Sequence, residues 1–187
     1  MQYKTQSLNK YLNDLSAKLP APGGGPAAAF NAAMGAGLIS MVVNFTLGKP
    51  KYAAFEDELK SILVESEKLK TDLLELVDLD VEAYQSKDIR KAIDVPFMLS
   101  RLCYQAAKLC PPLVKKGNLS LISDVAVAAV FLESAFVAAG FNVEINLKIL
   151  GDKKLAQGIR QEIGRMHKVI VKIRKNTEAS VGKIIRG

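Results

Sequence analysis

An all-α fold, a single-domain bundle of about six long helices over residues 1–187, is predicted by three features of the sequence. Alanine, leucine and lysine, which favour helices, dominate the composition. Residues 51–86 repeat apolar or small residues at alternating steps of four and three, which is the spacing of a long helix packed along one seam. Residues 26–47 are apolar on nearly every face, as expected for a helix surrounded by others. The seam residues are Phe55, Leu59, Ile62, Ser66, Leu69, Leu73, Leu76, Asp80 and Ala83.

Periodicity and breaker residues place the other helices. Residues 5–18 predict a short amphipathic helix with Leu8, Leu12 and Leu15 on its buried face. The segment Pro20–Pro26, rich in proline and glycine, separates this helix from the apolar one. Three further helices are predicted over residues 88–116, where Pro96 kinks the helix or marks its first turn, over residues 120–150 and over residues 152–186.

The apolar helix at residues 26–47 is long enough to suggest a membrane span. Asn31, Ser40 and Asn44 interrupt it, and no other segment resembles a span, so we expect no contact with a membrane.

The cysteine and histidine content favours a cytoplasmic protein without zinc. Cys103 and Cys110 would lie roughly 10 Å apart on one helix, which is too far for a disulfide. Reduced cysteines and a start without a secretory signal favour the cytoplasm. The single histidine, His167, lies in a basic helix, and the chain has no cluster of Cys and His, so we expect no metal site.

The net charge of +7 resides in the last helix. Residues 152–187 hold 10 Lys and Arg against 3 Asp and Glu, while the charges of residues 1–151 cancel. Such a segment can attract nucleic acid or another polyanion, and the simpler interpretation is a solvated helix face. No stacking aromatic residues are interleaved with these charges, which argues against nucleic acid.

The three glycines Gly23, Gly24 and Gly25 open onto the start of the apolar helix. The N–H groups at a helix start have no partner within the helix, and they favour an anion or a polar ligand atom. A tight turn between two helices is the alternative interpretation of this segment.

Asp80 is the strongest candidate for acid–base chemistry. It occupies a seam position where the other residues are apolar or small. A carboxylate there is desolvated unless it is paired, and desolvation raises the carboxyl pKa toward neutrality. Asp78 lies on a different face of the helix, and Tyr84, one turn further on, is placed to share a hydrogen-bond network with Asp80. A buried ion pair or a helix cap is the structural alternative for Asp80.

Two other polar clusters lie beside apolar runs. Asp124 occurs with Ser123 and Asn118, and helix capping explains that cluster on its own. Asn142 and Asn146 lie one turn apart on one face of the predicted helix. Since Asp124 and Asn142 are about 27 Å apart along a straight helix, one pocket in a single subunit cannot use both directly. One cluster is therefore structural, or neighbouring subunits contribute.

Several motifs together resemble the folate cyclodeaminase/cyclohydrolase family, which includes the C-terminal domain of formiminotransferase-cyclodeaminase. The resemblance implies an all-α homodimer that acts on a tetrahydrofolate derivative, with or without a polyglutamate tail, and Asp80 matches the catalytic aspartate of the family. It implies formiminotetrahydrofolate cyclodeaminase or methenyltetrahydrofolate cyclohydrolase activity, with no cofactor beyond the folate and no metal. The matching motifs are Pro20–Gly25, Asn44–Lys49, Asp78–Tyr84, Val95-Pro96, Gly117-Asn118, Ser123-Asp124 and Asn142–Lys148.

Carried onto these motifs, the resemblance predicts a set of residues that bind the folate. Lys49, Lys87 and Arg101 are the candidates for its glutamate tail, and only Lys49 lies in a matching motif. This sequence departs from the family pattern at Pro26, where serine is usual, and at Gln85–Asp94, a connection some twenty residues shorter than is common. A folate-binding or partner-binding helical dimer that lacks catalysis is therefore the alternative function. The predicted binding residues are Gly23, Gly24, Gly25, Asn44, Lys49, Asp78, Tyr84, Asn118, Asp124, Asn142 and Asn146.

Overall fold

The computed structural model describes residues 2–187, which form seven α-helices and no β-strand. This confirms the predicted all-α bundle of about six long helices. Short 3-10 helices at Tyr3–Thr5, Pro50–Phe55 and Leu119–Leu121 precede α1, α3 and α6. The helices are α1 (Leu8–Ser16), α2 (Gly24–Asn44), α3 (Glu56–Ser86), α4 (Ile89–Ala107), α5 (Cys110–Lys116), α6 (Ile122–Leu150) and α7 (Lys153–Arg186).

Helix α2 lies at the centre of the bundle, between α3 and α6. Both neighbours run antiparallel to it. Gly25 at the start of α2 meets Asp80 near the end of α3, whereas Ser40 near its end bonds Ser66, with 2.8 Å between the two hydroxyl oxygens. Small residues allow this close packing, since a β-carbon on Gly35 would lie 2.9 Å from Cγ of Leu132 on α6.

The predicted seam of α3 faces the core. Leu59, Leu73 and Leu76 are fully or almost fully buried, and Ser66 is buried through its bond to Ser40. Phe55 and Asp80, near the two ends of the seam, are only half-buried. The heptad spacing therefore predicted the packed face of this helix correctly.

The buried face of α1 differs from the prediction. Leu8 and Leu12 are 62% and 57% exposed, while Tyr11 and Asp14 are buried. Asp14 tolerates burial because Lys10 donates to it at 2.6 Å and the Tyr3 hydroxyl donates to it at 3.0 Å.

The predicted fourth helix is divided into α4 and α5. Pro111 and Pro112 have no N–H to donate to the carbonyls of Ala107 and Lys108, so the helix ends and α5 begins with the prolines in its first turn. Pro96 lies inside α4. Cys103 and Cys110 are free and buried, which raises the pKa of both thiols and leaves them unreactive.

Helices α3 and α4 are joined by two residues. Lys87 adopts a left-handed conformation (φ 56°), and the Asp88 side chain caps α4 by accepting from the N–H groups of Arg90 and Lys91. The short connection noted in the sequence is therefore an ordered helical hairpin at the end of the bundle that carries Asp80.

Candidate active site

The Asp80 carboxylate packs directly on the first turn of α2. A β-carbon built on Gly25 would lie 2.3 Å from Oδ1 of Asp80 and 2.4 Å from Oδ2. A β-carbon at position 25 would overlap the carboxylate, so glycine at this position lets Asp80 keep the place that it occupies. The antiparallel packing of α2 and α3 thus brings together the glycine segment and the seam aspartate.

Asp80 is a half-buried acid without a partner. Within residues 2–187 no hydrogen bond or ion pair reaches its carboxylate, and burial raises its pKa to about 6. A carboxyl group with a pKa near neutrality can both accept and return a proton at physiological pH, as general acid–base catalysis requires. The sequence-based expectation of a desolvated carboxyl group at this seam position is met by the structure.

The backbone of the glycine segment adds unpaired donors beside this acid. Pro26 has no N–H, and the N–H of Ala27 bonds the Gly23 carbonyl at 3.2 Å. The N–H groups of Gly24 and Gly25 belong to the first turn and have no partner within α2. The start of α2 therefore offers two donors and the positive end of a helix dipole at the carboxylate.

Asn142 brings α6 to the same place. Its Oδ1 is 3.9 Å from the position of a β-carbon on Gly24, and its Nδ2 donates to the Ala138 carbonyl at 3.1 Å. The amide oxygen is thus aimed at the start of α2. Gly24, Gly25, Asp80 and Asn142 form one cluster, which we call the Asp80 site, and Gly23 lies at its edge with open space around it.

Tyr11 is a residue of this region that sequence reasoning missed. It is buried, its ring packs against Tyr3 and Phe30, and its hydroxyl has no hydrogen-bond partner. Burial, and next the negative charge of Asp80, raise its pKa to about 12. The signal was present in the sequence, since Tyr11 lies three residues after Leu8 and four before Leu15 and so shares the predicted buried face, but only the leucines of that face were singled out.

Asn146 lies one turn beyond Asn142 but has a structural partner. Its Nδ2 donates to the Ala92 carbonyl at 2.6 Å. In an unbroken helix that carbonyl would accept from residue 96, and Pro96 has no N–H to give. The two residues therefore belong to one contact between α4 and α6, which accounts for Asn146 without a ligand.

Asp78 and Tyr84 lie apart from the Asp80 carboxylate. Asp78 is buried beneath the N-terminal segment, where it accepts a hydrogen bond from the Tyr3 N–H. Tyr84 is 61% exposed, and no hydrogen bond joins it to Asp80 in the described part of the chain. The expected network between Tyr84 and Asp80 is therefore absent, because the tyrosine extends outward one turn further on.

The remaining predicted residues lie at the opposite end of the bundle. Gly25 and Asn44 are separated by almost the full length of α2, about 28 Å. Asn118 ties this end together, since its N–H donates to Oγ1 of Thr46 at 2.9 Å and its Nδ2 donates to the Phe45 carbonyl at 3.2 Å. The residues at this far end are Asn44, Lys49, Asn118 and Asp124.

The basic helix α7 directs part of its charge inward. Arg160 and Arg174 pair with Glu144 and Glu133 of α6, at 2.7 and 2.5 Å. His167 stacks on Phe136 with 5.9 Å between ring centroids. These contacts attach α7 to the bundle.

Within residues 2–187 there is no group of three or more His, Cys, Asp or Glu that could hold a metal ion.

Two segments, Gly24–Asn44 and Leu119–Leu150, are long and apolar enough to cross a membrane by length and composition alone. The first is mostly buried in the bundle, with 61% of its most apolar window inside, as is usual for a core helix. The second corrects the expectation that only one segment resembles a span; it has 39% of its window buried and keeps an exposed apolar face.

Comparisons with known proteins agree with this geometry. A family model described as formiminotransferase-cyclodeaminase matches residues 7–87 and 86–165. The chain is 34% identical over 181 residues to the methenyltetrahydrofolate cyclohydrolase of Methylorubrum extorquens, covering 84% of this chain and 87% of that one. It is 30% identical over 183 residues to the formimidoyltransferase-cyclodeaminase of Rattus norvegicus, covering 86% of this chain and 34% of that protein.

A solved structure shares the fold over nearly its whole length. The formiminotetrahydrofolate cyclodeaminase of Thermotoga maritima superposes with a TM-score of 0.92 and 26% identity, covering 97% of this chain and 98% of that one. The match thus covers most of the cyclohydrolase and nearly all of the cyclodeaminase, while the chain spans about a third of the rat protein.

Proposed function

The chain belongs to the formiminotransferase-cyclodeaminase family, and from this membership we propose that it is a folate-dependent one-carbon enzyme, either a formiminotetrahydrofolate cyclodeaminase or a methenyltetrahydrofolate cyclohydrolase. The observation that carries the proposal is the Asp80 carboxylate, which is unpaired, half-buried and packed against the first turn of α2. We assign to Asp80 the role of general acid and base, since its raised pKa suits a group that moves a proton near neutral pH.

Both reactions need one such proton carrier. In cyclohydrolysis, water attacks the methenyl carbon, Asp80 takes a proton from the attacking oxygen, and one carbon–nitrogen bond breaks as that nitrogen is protonated. In cyclodeamination, one folate nitrogen carries the formimino group, and a second folate nitrogen attacks the formimino carbon and loses its proton. The nitrogen of the formimino group gains a proton and leaves as ammonia. Each reaction passes through a tetrahedral carbon between heteroatoms, and general acid–base catalysis contributes about a hundred- to ten-thousand-fold in rate.

The neighbours of Asp80 are suited to bind the polar edge of a folate. The free N–H groups of Gly24 and Gly25 are donors for a carbonyl or ring nitrogen, and Oδ1 of Asn142 is an acceptor for an N–H. Asn146 and Asp78 act in this proposal as supports, through the Ala92 carbonyl and the Tyr3 N–H.

The polar cluster at the far end needs a second subunit to serve the same pocket. We assign Lys49 to the glutamate tail of the substrate and Asn44, Asn118 and Asp124 to the adjoining wall, contributed across a homodimer. An exposed apolar stripe on the outer faces of α2 and α6 supports this assembly, because water-exposed apolar surface of this extent is typical of an interface. The stripe, which we call the α2–α6 stripe, comprises Met34, Val127, Val130, Val137, Phe141, Ile145 and Ile149.

We place the enzyme in the cytoplasm and off the membrane, since the subunit interface accounts for the apolar face of α6. The inward ion pairs of α7 support a packing role for the basic helix rather than nucleic-acid binding. Binding to DNA or RNA that falls steeply with salt would contradict this assignment.

A spectrophotometric assay tests the proposal and separates the two activities. Methenyltetrahydrofolate absorbs where its open-ring neighbours do not, so its loss with methenyltetrahydrofolate as substrate reports cyclohydrolysis and its appearance from formiminotetrahydrofolate reports cyclodeamination. Turnover of neither folate, together with folate binding by calorimetry, would instead support the non-catalytic helical dimer.

A further inference from the structure

The hydroxyl of Tyr11 is an anomaly that the proposed mechanism does not use. The side chain is 7% exposed, and its oxygen is fully buried without a hydrogen-bond partner. A buried hydroxyl left unpaired is costly, and native proteins rarely keep one without a reason. The reason is best sought in what lies around this hydroxyl.

Tyr11 packs against residues of α2 and α3 that lie near Gly25 and Asp80. Its ring lies 5.7 Å, centroid to centroid, from that of Phe30, which follows Gly25 on α2. The same ring shares the wall of a cavity of about 170 Å³ with Val77, which precedes Asp80 by three residues and so lies on the same side of α3. Helix α1 therefore covers the two helices at the point where they bring Gly25 and Asp80 together.

The other polar groups nearby have partners, with one exception. The Tyr3 hydroxyl donates to Asp14 at 3.0 Å, and Asp14 also binds Lys10. Asp78 accepts from the Tyr3 N–H through Oδ1, but its buried Oδ2 has no partner. Of these two carboxylates on α3, it is Asp80 whose negative charge raises the pKa of Tyr11, which makes Asp80 the acceptor that the Tyr11 hydroxyl faces.

We propose that Tyr11 is a positioning residue for Asp80: its hydroxyl donates a hydrogen bond to the carboxylate when Asp80 is ionised, and holds it in the orientation from which it accepts a proton. The bond requires the Asp80 side chain to rotate toward Tyr11, and the half-buried carboxylate has no other partner to release. When Asp80 is protonated, the bond opens and the carboxyl group is free to return its proton to the substrate.

The charged and titratable groups around Asp80 leave this role to Tyr11. Helix α2 presents only backbone N–H groups there, and α6 presents the neutral Asn142. On α3, Asp78 is held by the Tyr3 N–H, and Glu82 lines a separate cavity with Lys91 and Asp94 of α4. The Tyr11 phenol itself stays protonated at neutral pH because burial and the charge of Asp80 both raise its pKa.

This inference rests on the proposed function, because a positioning role presumes that Asp80 is catalytic. The measurement that decides it does not require the protein to be active. The carboxyl carbon of Asp80 is followed by NMR against pH in the wild-type chain and in Tyr11→Phe. Because a hydrogen bond to the ionised form lowers a carboxyl pKa, removing the hydroxyl should raise the measured pKa of Asp80 by about one unit. Equal pKa values in the two proteins would overturn the proposal.

Tyr52→Phe is the matched control. Tyr52 is also buried, but its hydroxyl accepts from the Leu119 N–H at the far end of the bundle, so this variant should lower the melting temperature and leave the pKa of Asp80 unchanged. In a folate assay, Tyr11→Phe should move the acidic limb of kcat/KM upward by the same unit, and Tyr52→Phe should not. If the pKa of Asp80 is higher in Tyr11→Phe than in wild type but the wild-type chain turns over neither folate, the contact between Tyr11 and Asp80 is supported and the enzymatic function is rejected.

Discussion

The Asp80 carboxylate occupies the volume that any side chain at position 25 would fill, with only 2.3 Å between its Oδ1 and the place of a β-carbon on Gly25. The three glycines of the segment are therefore not equivalent. Gly25 is required by its contact with the acid, Gly24 faces Asn142 at a comfortable 3.9 Å, and Gly23 faces open space.

Gly25→Ala should therefore displace Asp80 and impair catalysis. We expect turnover to fall by about tenfold to a hundredfold, since a displacement of about 1 Å in a catalytic group has effects of that size. Gly23→Ala is the matched control and should keep nearly normal turnover, because nothing lies within 4 Å of its β-carbon. Steady-state kinetics with circular dichroism checks this, and equal losses in the two variants would indicate a plain turn.

Asp80→Asn should abolish proton transfer and preserve the fold. The amide keeps the size of the side chain but cannot exchange a proton, so we expect turnover at least about a hundredfold lower, with ligand affinity changed only a few-fold. The free energy of unfolding should stay the same or rise at neutral pH, because a desolvated charge without a partner is removed.

Asp78→Ala, two residues earlier on α3, should lower stability and preserve turnover, which is the reverse of what we expect for Asp80→Asn. Removal of the carboxylate leaves the buried Tyr3 N–H unpaired, which should cost about 1–3 kcal/mol in the free energy of unfolding. Turnover per folded molecule should be nearly normal. Urea denaturation combined with kinetics separates the two aspartates, and an active but destabilised Asp80→Asn protein would reject the catalytic assignment.

The titration of Asp80 should determine how both kcat/KM and stability depend on pH. If Asp80 acts as a base, kcat/KM should fall as pH drops through about 6, where its carboxylate becomes protonated. Because folding raises the pKa of Asp80 above its unfolded value, its contribution to stability is present at acidic pH and is lost as pH rises from about 4 to about 6. The stability advantage of Asp80→Asn over wild type should therefore grow over that range, which urea midpoints measured at several pH values would show.

The buried face of a helix could be predicted from the sequence where repeated local packing determines it, and could not be predicted where contacts with distant residues determine it. The seam of α3 was predicted correctly because a helix of 31 residues repeats its packing often enough for periodicity to be decisive. Helix α1, with nine residues, was not: Tyr11 and Asp14 are buried through contacts with Tyr3, which no local pattern contains.

The site was predicted in the same uneven way. Asp80 and the glycine segment are recognisable locally, as an acid in an apolar seam and as a costly run of glycines. The substrate role of Asn146 stays a prediction, drawn from its place in a matching motif one turn from Asn142, and the structure adds a partner on α4, the Ala92 carbonyl that Pro96 leaves free. That hydrogen bond links residues 54 positions apart, and only the fold brings them together.

The link between Pro96 and Asn146 can be tested by a double-mutant cycle. Asn146→Ala should destabilise the wild-type protein by about 1 kcal/mol or more, because the Ala92 carbonyl loses its donor. In a Pro96→Ala background residue 96 regains an N–H for that carbonyl, so the same change should cost much less. If the effects of Asn146→Ala and Pro96→Ala on the free energy of unfolding are additive, or if Asn146→Ala alone raises the KM for folate, Asn146 binds the substrate instead.

The α2–α6 stripe predicts a dimer or a larger assembly in solution. Phe141 is 72% exposed and Val137 is 38% exposed on the outer face of α6, and pairing of two subunits would cover both. Phe141→Glu should therefore shift the mass measured by light scattering at micromolar concentration to that of a monomer, because burying an unpaired charge in an apolar interface is unfavourable.

Val64→Glu makes this test specific. Val64 is equally exposed, at 73%, but lies on α3 outside the stripe, so this variant should keep the wild-type mass. If the polar cluster around Asn118 and Asp124 serves the partner's Asp80 site, the Phe141→Glu monomer should also lose turnover while Asp80 keeps its own contacts with Gly25. A wild-type chain that is monomeric yet active would mean that one subunit holds the whole site, and that the far cluster only caps and joins helices.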